Sequence, residues 1–313
     1  MLKYLREYKM ADMRQILSNN RTPHLRSSTS LDGKTAVIAG GTSGVGLSAA
    51  RELVRFGCDI VLVARNEEKV RSVSMQLLEQ HGGSVRYYLA DFSDLDTVRA
   101  AADRICEHEP KIDILINSAG MHSTRRLYTR QGFELVFCVN HLAPFMLTHR
   151  LIPIMKRSAE ARIIQVNSQG HRFGGLDPDD TDWKRRHYTG LRGYGASKTA
   201  QLLTVWEFAD RLKGTSVTIN AMHPGEVQSA IGENNGRLYN WYKRHVLWNS
   251  LKDNRISGES LHYLEADPEA REGSGIYFNL THQEKPAPHA LDRSVGRTVW
   301  ERTLAMTGLS DEI

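Results

Sequence analysis

The chain has 313 residues, 40% hydrophobic and 25% charged, a length and composition that suit one soluble α/β domain carrying insertions. Its formal net charge of +5 is spread along the chain. No basic stripe or basic face interleaved with aromatics is present, so nucleic acid is not an expected partner.

Residues 1–30 read as a basic N-terminal arm. Leu2, Leu5, Met10, Met13, Ile16 and Leu17 recur at helical spacing, with Lys3, Arg6, Lys9 and Arg14 between them, and Ser18 to Pro23 breaks the pattern. The stripe is ragged and lacks Trp or Phe. That favours an arm docked on its own domain or on a partner subunit over one making peripheral contact with a membrane. From Lys34 onward, β-rich runs alternate with helical patterns. Strands are expected at 35–39, 60–63, 85–89, 112–116, 162–166, 217–220 and 275–278, with a helix from about Val45 to Phe56 and, after the second strand, a polar helix ending at about Glu79. This alternation means right-handed βαβ units and one doubly wound parallel sheet of about seven strands with helices on both faces. Residues 31–313 therefore read as a single domain.

The isolated cysteines Cys58, Cys106 and Cys138 form no metal-ligand spacing and no disulfide framework, which points to a reducing, cytoplasmic setting with no bound metal. No apolar run approaches the roughly 18–20 residues that span a bilayer, and no signal peptide is visible.

The first strand runs into Gly40-Gly41-Thr42-Ser43-Gly44-Val45-Gly46 and then a helix. Glycines between a first strand and a first helix allow a tight turn and close approach to a pyrophosphate, which the helix N-terminus then receives. The second strand ends at Ala64-Arg65. Ala64 offers no carboxylate to a ribose 2′-hydroxyl, whereas Arg65 suits a 2′-phosphate, so the expected cofactor is NADP(H).

With these features the sequence resembles the short-chain dehydrogenase/reductase family, and more closely its retinol-dehydrogenase-like branch, over about Gly33 to Leu309. The likeness rests on the glycine loop, Asn117-Ser118-Ala119-Gly120, Val139-Asn140-His141-Leu142, Tyr194-Gly-Ala-Ser-Lys198 and His223-Pro224-Gly225. It implies a Rossmann fold in which Asp91, with Phe92 beside it, meets the adenine. Asn117, Ala119, Gly120, Pro224, Gly225, Val227 and Ser229 would also border the cofactor, together with Tyr194 and Lys198. It further implies a catalytic set of Asn140, Ser168, Tyr194 and Lys198. Residues i and i+4 share a helix face, so Tyr194 and Lys198 would enter one cleft. A nearby ammonium would then bring the phenol down from its ordinary pKa of about 10 toward the working range of a general acid and base. Ser168 would bond the substrate oxygen, and Asn140 would anchor a water relaying protons to Lys198. A second Tyr-x-x-x-Lys, Tyr239 to Lys243, lies after the Pro224-Gly225 segment and lacks the strand context of the first.

An insertion at 171–192 leaves the carboxyl edge of the sheet. It reads equally as a rim that shapes substrate access and as a solvated loop, with His171 expected as a polar rim histidine. Residues 226–258, rich in large apolar and aromatic groups, suggest a substrate lid over a hydrophobic small molecule. The branch resemblance implies a retinoid-, steroid- or polyketide-like carbonyl or alcohol as substrate. Reduction of a carbon–carbon double bond and a catalytically silent NADP-binding scaffold are the alternatives. A homo-oligomer paired through the helices carrying Asn140 and Tyr194 is expected by analogy.

Overall fold

The computed structural model describes residues 7, 9–227, 253–271 and 273–313. Eight strands form one sheet in the order β3-β2-β1-β4-β5-β6-β7-β8. They are β1 (Thr35–Ala39), β2 (Asp59–Ala64), β3 (Val85–Leu89), β4 (Ile114–Asn117), β5 (Ala161–Val166), β6 (Val217–His223), β7 (Tyr277–Asn279) and β8 (His282–Gln283). All neighbours are parallel except β7 and β8. The eighth strand, two residues long and reached by a turn through Leu280 in a left-handed conformation (φ 55°), is the addition to the expected seven.

The helices are α1 (Met10–Asn19), α2 (Gly44–Arg55), α3 (Glu67–His81), α4 (Leu95–His108), α5 (Leu135–Phe137), α6 (Ala143–Met155), α7 (Gly190–Arg211), α8 (Arg255–Ala266) and α9 (Arg293–Thr307). A strand covered on both faces must be apolar throughout, and every residue of β1 is buried. Its side chains alternate between two cores: Val37 and Ala39 pack with residues of α4, α6, α7 and α9, while Ala36 and Ile38 pack with residues of α2, α3 and α8.

One expectation is corrected here. The run Leu135–Met155 is 21 residues long and apolar enough to cross a membrane, but it lies largely buried inside the domain as a core helix. Its length escapes notice in the sequence because histidines, an asparagine and a threonine interrupt it, and these find partners in the interior: His141 Nε2 lies 2.9 Å from Thr303 Oγ1. Helix α9 packs on α6 and α7 within the chain. Trp300 of α9 packs against Phe145 of α6 and Phe208 of α7 at ring separations of 5.0 and 4.7 Å.

The arm lies along the β8 edge of its own chain. Asp12 pairs with Lys285 at 3.0 Å, Gln15 and Asn19 donate to the Gln283 carbonyl at 3.2 and 3.1 Å, and Leu25 N donates to Thr281 Oγ1 at 2.9 Å. No residue of α1 is buried. Polar contacts, rather than a greasy face, hold this helix down.

Candidate active site

Where the strand order reverses, β1 and β4 lie side by side with Ala39 opposite Asn117. Ligands of open α/β sheets bind in the crevice outside such carboxyl ends. The glycine loop and the segment after β4 meet there, the Ala119 backbone lying against Gly40. A Cβ added to Gly46 would sit 2.5 Å from the Gly40 carbonyl oxygen, so only glycine lets α2 start this close to the loop. Thr42 and Ser43 are half-buried and Val45 is buried. Ser43 caps α2 without a side-chain hydrogen bond, whereas Asn66, Asp94, Thr189 and Asp292 cap α3, α4, α7 and α9 with theirs. An uncapped helix N-terminus behind a glycine loop fits a pyrophosphate.

Arg65 is exposed at the end of β2, its Nη1 3.7 Å from Asp91 Oδ2. Asp91 Oδ1 accepts from Ser93 N and Oγ at 2.9 and 2.7 Å, which fixes the turn after β3, and Phe92 is buried beneath it. The Asn117 side chain turns inward and donates to Thr148 Oγ1 at 2.9 Å, so only its backbone borders the crevice. Gly120 lies against Asn140. Pro224 and Gly225 leave β6, the Pro224 carbonyl accepting from Ser257 Oγ at 2.7 Å, and Val227 is buried. Ser229, most of the expected lid and the Tyr239–Lys243 pair lie outside the described residues.

The structure brings Asn140, Ser168, Tyr194 and Lys198 together. Ser168 follows β5 and opens a 3-10 turn over Gln169–Phe173, its Oγ accepting from Gly170 N at 3.0 Å; the Tyr194 ring lies against the same Gly170. Lys198 is buried one turn along α7. Its Nζ donates to the Val166 carbonyl at 2.8 Å and lies 5.9 Å from the centre of the Tyr194 ring. Asn140 sits in a π-helical turn, Cys138–Leu142, of the kind often found at functional sites. Its side chain bonds both backbone groups of Met121, at 2.8 and 3.0 Å, and donates to Ser197 Oγ at 3.0 Å. The segment after β4 is thereby tied to α7.

The expected effect of Lys198 on Tyr194 is corrected. Burial raises the Tyr194 hydroxyl above its ordinary pKa; the neighbouring Ser168 hydroxyl opposes this without reversing it. The ammonium is spent elsewhere, on Val166 and on Gln201 Oε1 at 3.4 Å. Burial in turn pushes Lys198 down to about 7. In the unfolded chain its pKa is near 10.4, so between about pH 7 and that value the unfolded state binds the extra proton and stability rises with pH. Lys198→Met should remove this contribution. Denaturant unfolding across pH 7–10 is expected to show a slope shallower than wild type by up to about 1.4 kcal/mol per pH unit; parallel profiles would show that Lys198 is not depressed.

Sequence reasoning missed Gln201. This buried side chain accepts from Asn167 Nδ2 at 2.8 Å and donates to the Asn140 carbonyl at 3.1 Å. Protein thus holds the Asn140 carbonyl beside Lys198, the neighbourhood expected for a relay water. Its spacing of three from Lys198 and seven from Tyr194 on one helix face was the available signal.

His171 is no rim residue. It is wholly buried, receives Ala287 N on Nε2 at 3.1 Å, and so donates from Nδ1 to the Ser168 carbonyl at 2.7 Å. Burial holds its pKa well below the ordinary value, so it serves as a neutral brace of the serine turn. The insertion that follows is fastened at several points, while Asp179, Lys184, Arg185 and His187 stand exposed. Trp183 is buried, Asp180 pairs with Arg186 at 3.1 Å, Glu134 N donates to Asp182 Oδ1 at 2.9 Å, and Tyr188 donates to the Ser123 carbonyl at 3.0 Å. These contacts clamp the insertion to the segment after β4, where His122 stands edge-on to Tyr194 at 5.8 Å.

A sheet switch point with a glycine loop, beside a Ser–Tyr–Lys cluster, defines a dinucleotide-dependent oxidoreductase. Comparison with known proteins places it further. Residues 34–239 match the short chain dehydrogenase family model. The chain is 34% identical over 290 residues to retinol dehydrogenase 13 of Homo sapiens, covering 90% of this chain and 87% of that protein. It is 33% identical over 287 residues to DnrU of Streptomyces sp. (strain C5), named as a daunorubicin C-13 ketoreductase, covering 92% and 96%. A crystal structure of an uncharacterised protein from Mycobacterium Paratuberculosis superposes with a TM-score of 0.74 at 25% identity, covering 91% and 97%. The chain belongs to the short-chain dehydrogenase/reductase family, in its retinol-dehydrogenase-like branch, and is an oxidoreductase that uses a nicotinamide cofactor.

Proposed function

We propose that the protein transfers hydride between NADP(H) and a lipophilic carbonyl or alcohol, with Tyr194 as general acid and base. The observation that carries this reading is the meeting of Ser168 Oγ and the Tyr194 ring at Gly170, at the carboxyl edge of the sheet, with Lys198 one helical turn behind them. The nicotinamide, when bound, supplies or accepts the hydride. In the reductive direction Tyr194 gives its proton to the carbonyl oxygen, and Ser168 donates a hydrogen bond to that same oxygen. A retinoid-, steroid- or polyketide-like substrate agrees with relatives named for retinol and for a daunorubicin ketone.

Preference for NADP(H) rests on Arg65, whose exposed guanidinium stands at the end of β2 with only a loose contact to Asp91. Arg65→Ala should weaken NADPH binding by about 10- to 100-fold, the worth of a charge-assisted pair, and leave NADH binding nearly unchanged. Equal losses for both cofactors would remove the 2′-phosphate from the argument. The activity itself is tested by NADPH oxidation against lipophilic ketones, aldehydes and enones, with products identified by mass and NMR. Alcohol products uphold the reading. Saturation of a carbon–carbon double bond, or tight NADPH binding without turnover, replaces it.

A further inference from the structure

Glu284, just beyond β8, is a fully buried carboxylate with four side-chain donors. Its Oε1 accepts from Gln169 Nε2 at 2.6 Å and from Arg172 Nη2 at 3.0 Å, both on the turn opened by Ser168. Its Oε2 accepts from Asn279 Nδ2 of β7 at 3.0 Å and from Asn19 Nδ2 of α1 at 3.3 Å. Gln169 Oε1 in turn receives Arg172 Nε at 2.6 Å, and the Lys285 carbonyl receives Arg172 Nη2 at 2.9 Å. A carboxylate removed from water needs this many partners, and each one it takes is fixed in place. The turn so fixed is the one that positions the catalytic pair. A Cβ added to Gly170 would meet Tyr194 Cε1 at 2.5 Å, so the turn lies directly against the Tyr194 ring while Ser168 Oγ accepts from Gly170 N.

We infer that Glu284 is a positioning residue for Ser168, and that through it the N-terminal helix α1 helps to set the geometry of the Ser168–Tyr194 pair. Displacement of the serine turn by about 1 Å is enough to cost on the order of a hundredfold in rate. The arm is thereby an accessory part of the active site, reached through one buried carboxylate rather than by contact with substrate. The effect on turnover rests on the oxidoreductase reading above; the effect on the turn does not.

The test uses full-length Glu284→Gln, Asn19→Ala and Gln169→Ala, the last two leaving the carboxylate in place if the first fails to fold. Hydrogen–deuterium exchange of residues 169–174 reads the turn without turnover, and kcat, KM and NADPH affinity read its consequence. All three variants should exchange faster at 169–174 with α2 unchanged. Glu284→Gln should lower kcat about 100-fold with KM and NADPH affinity within about twofold of wild type. Asn19→Ala should lower kcat about threefold in the same pattern. Unchanged exchange and kcat in Asn19→Ala would overturn the role of the arm; unchanged values in Glu284→Gln, or in Gln169→Ala where that variant does not fold, would overturn the clamp. A wild-type protein that binds NADPH without turnover would overturn the oxidoreductase reading, and exchange at 169–174 would still decide the clamp.

Discussion

Tyr194→Phe is expected to lower kcat/KM by at least about 100-fold while NADPH affinity stays within about twofold. The substitution removes one oxygen and keeps the ring that packs against Gly170 and stands edge-on to His122. Loss of a proton donor acts on the transition state, so kcat should fall with little change in KM. Burial holds the phenol protonated through neutral pH, which suits it to give a proton to a carbonyl. Reduction should therefore persist to lower pH than oxidation, because oxidation needs the phenolate. Stopped-flow NADPH oxidation with the best substrate of the panel measures the difference. A variant with wild-type kcat would remove Tyr194 from the chemistry.

Gly46→Val should abolish measurable NADPH binding and lower the melting temperature. The new Cβ would lie 2.5 Å from Gly40 O and 2.9 Å from Gly40 C, both backbone atoms, and Gly40 is itself pressed against Ala119. Neither neighbour can give without opening the crevice between β1 and β4, and overpacking of this kind costs about 1–3 kcal/mol. The widened loop would also carry the first turn of α2 away from the phosphates. Fluorescence titration with NADPH and a thermal melt read the two effects separately. Wild-type affinity in a folded variant would show that close approach at Gly46 is not needed.

The sheet and its glycine loop were legible in the sequence because their signals are local. The short run Thr35–Ala39, bounded by the glycines that follow it, reads as a strand buried on both faces, and a glycine loop between strand and helix has few other uses. Tyr194 and Lys198 were legible through their spacing on a helix. What stayed hidden depends on partners distant in sequence. His171 looks like a polar loop residue until Ala287 N and the Ser168 carbonyl close around it. Glu284 sits in an unremarkable Gln-Glu-Lys stretch, and its meaning comes from Gln169, Arg172 and Asn19, all more than 100 residues away. The strand β8 is too short to leave a periodic pattern. The upward shift of Tyr194 was hidden for a related reason: motif spacing places the lysine on the right face but does not say that Val166 and Gln201 take its ammonium.

The covering of α6 and α7 by α9 has a consequence for how the chain is made. The aromatic face of Phe145 and Phe208 is complete once α7 has emerged from the ribosome, but Trp300 follows about 90 residues later. At typical synthesis rates that interval is roughly 4.5–18 s. Throughout it, a nascent chain with an otherwise folded first half displays a sticky aromatic surface. Holdase chaperones should be captured on chains stalled between α7 and α9 and released from chains stalled beyond Thr307.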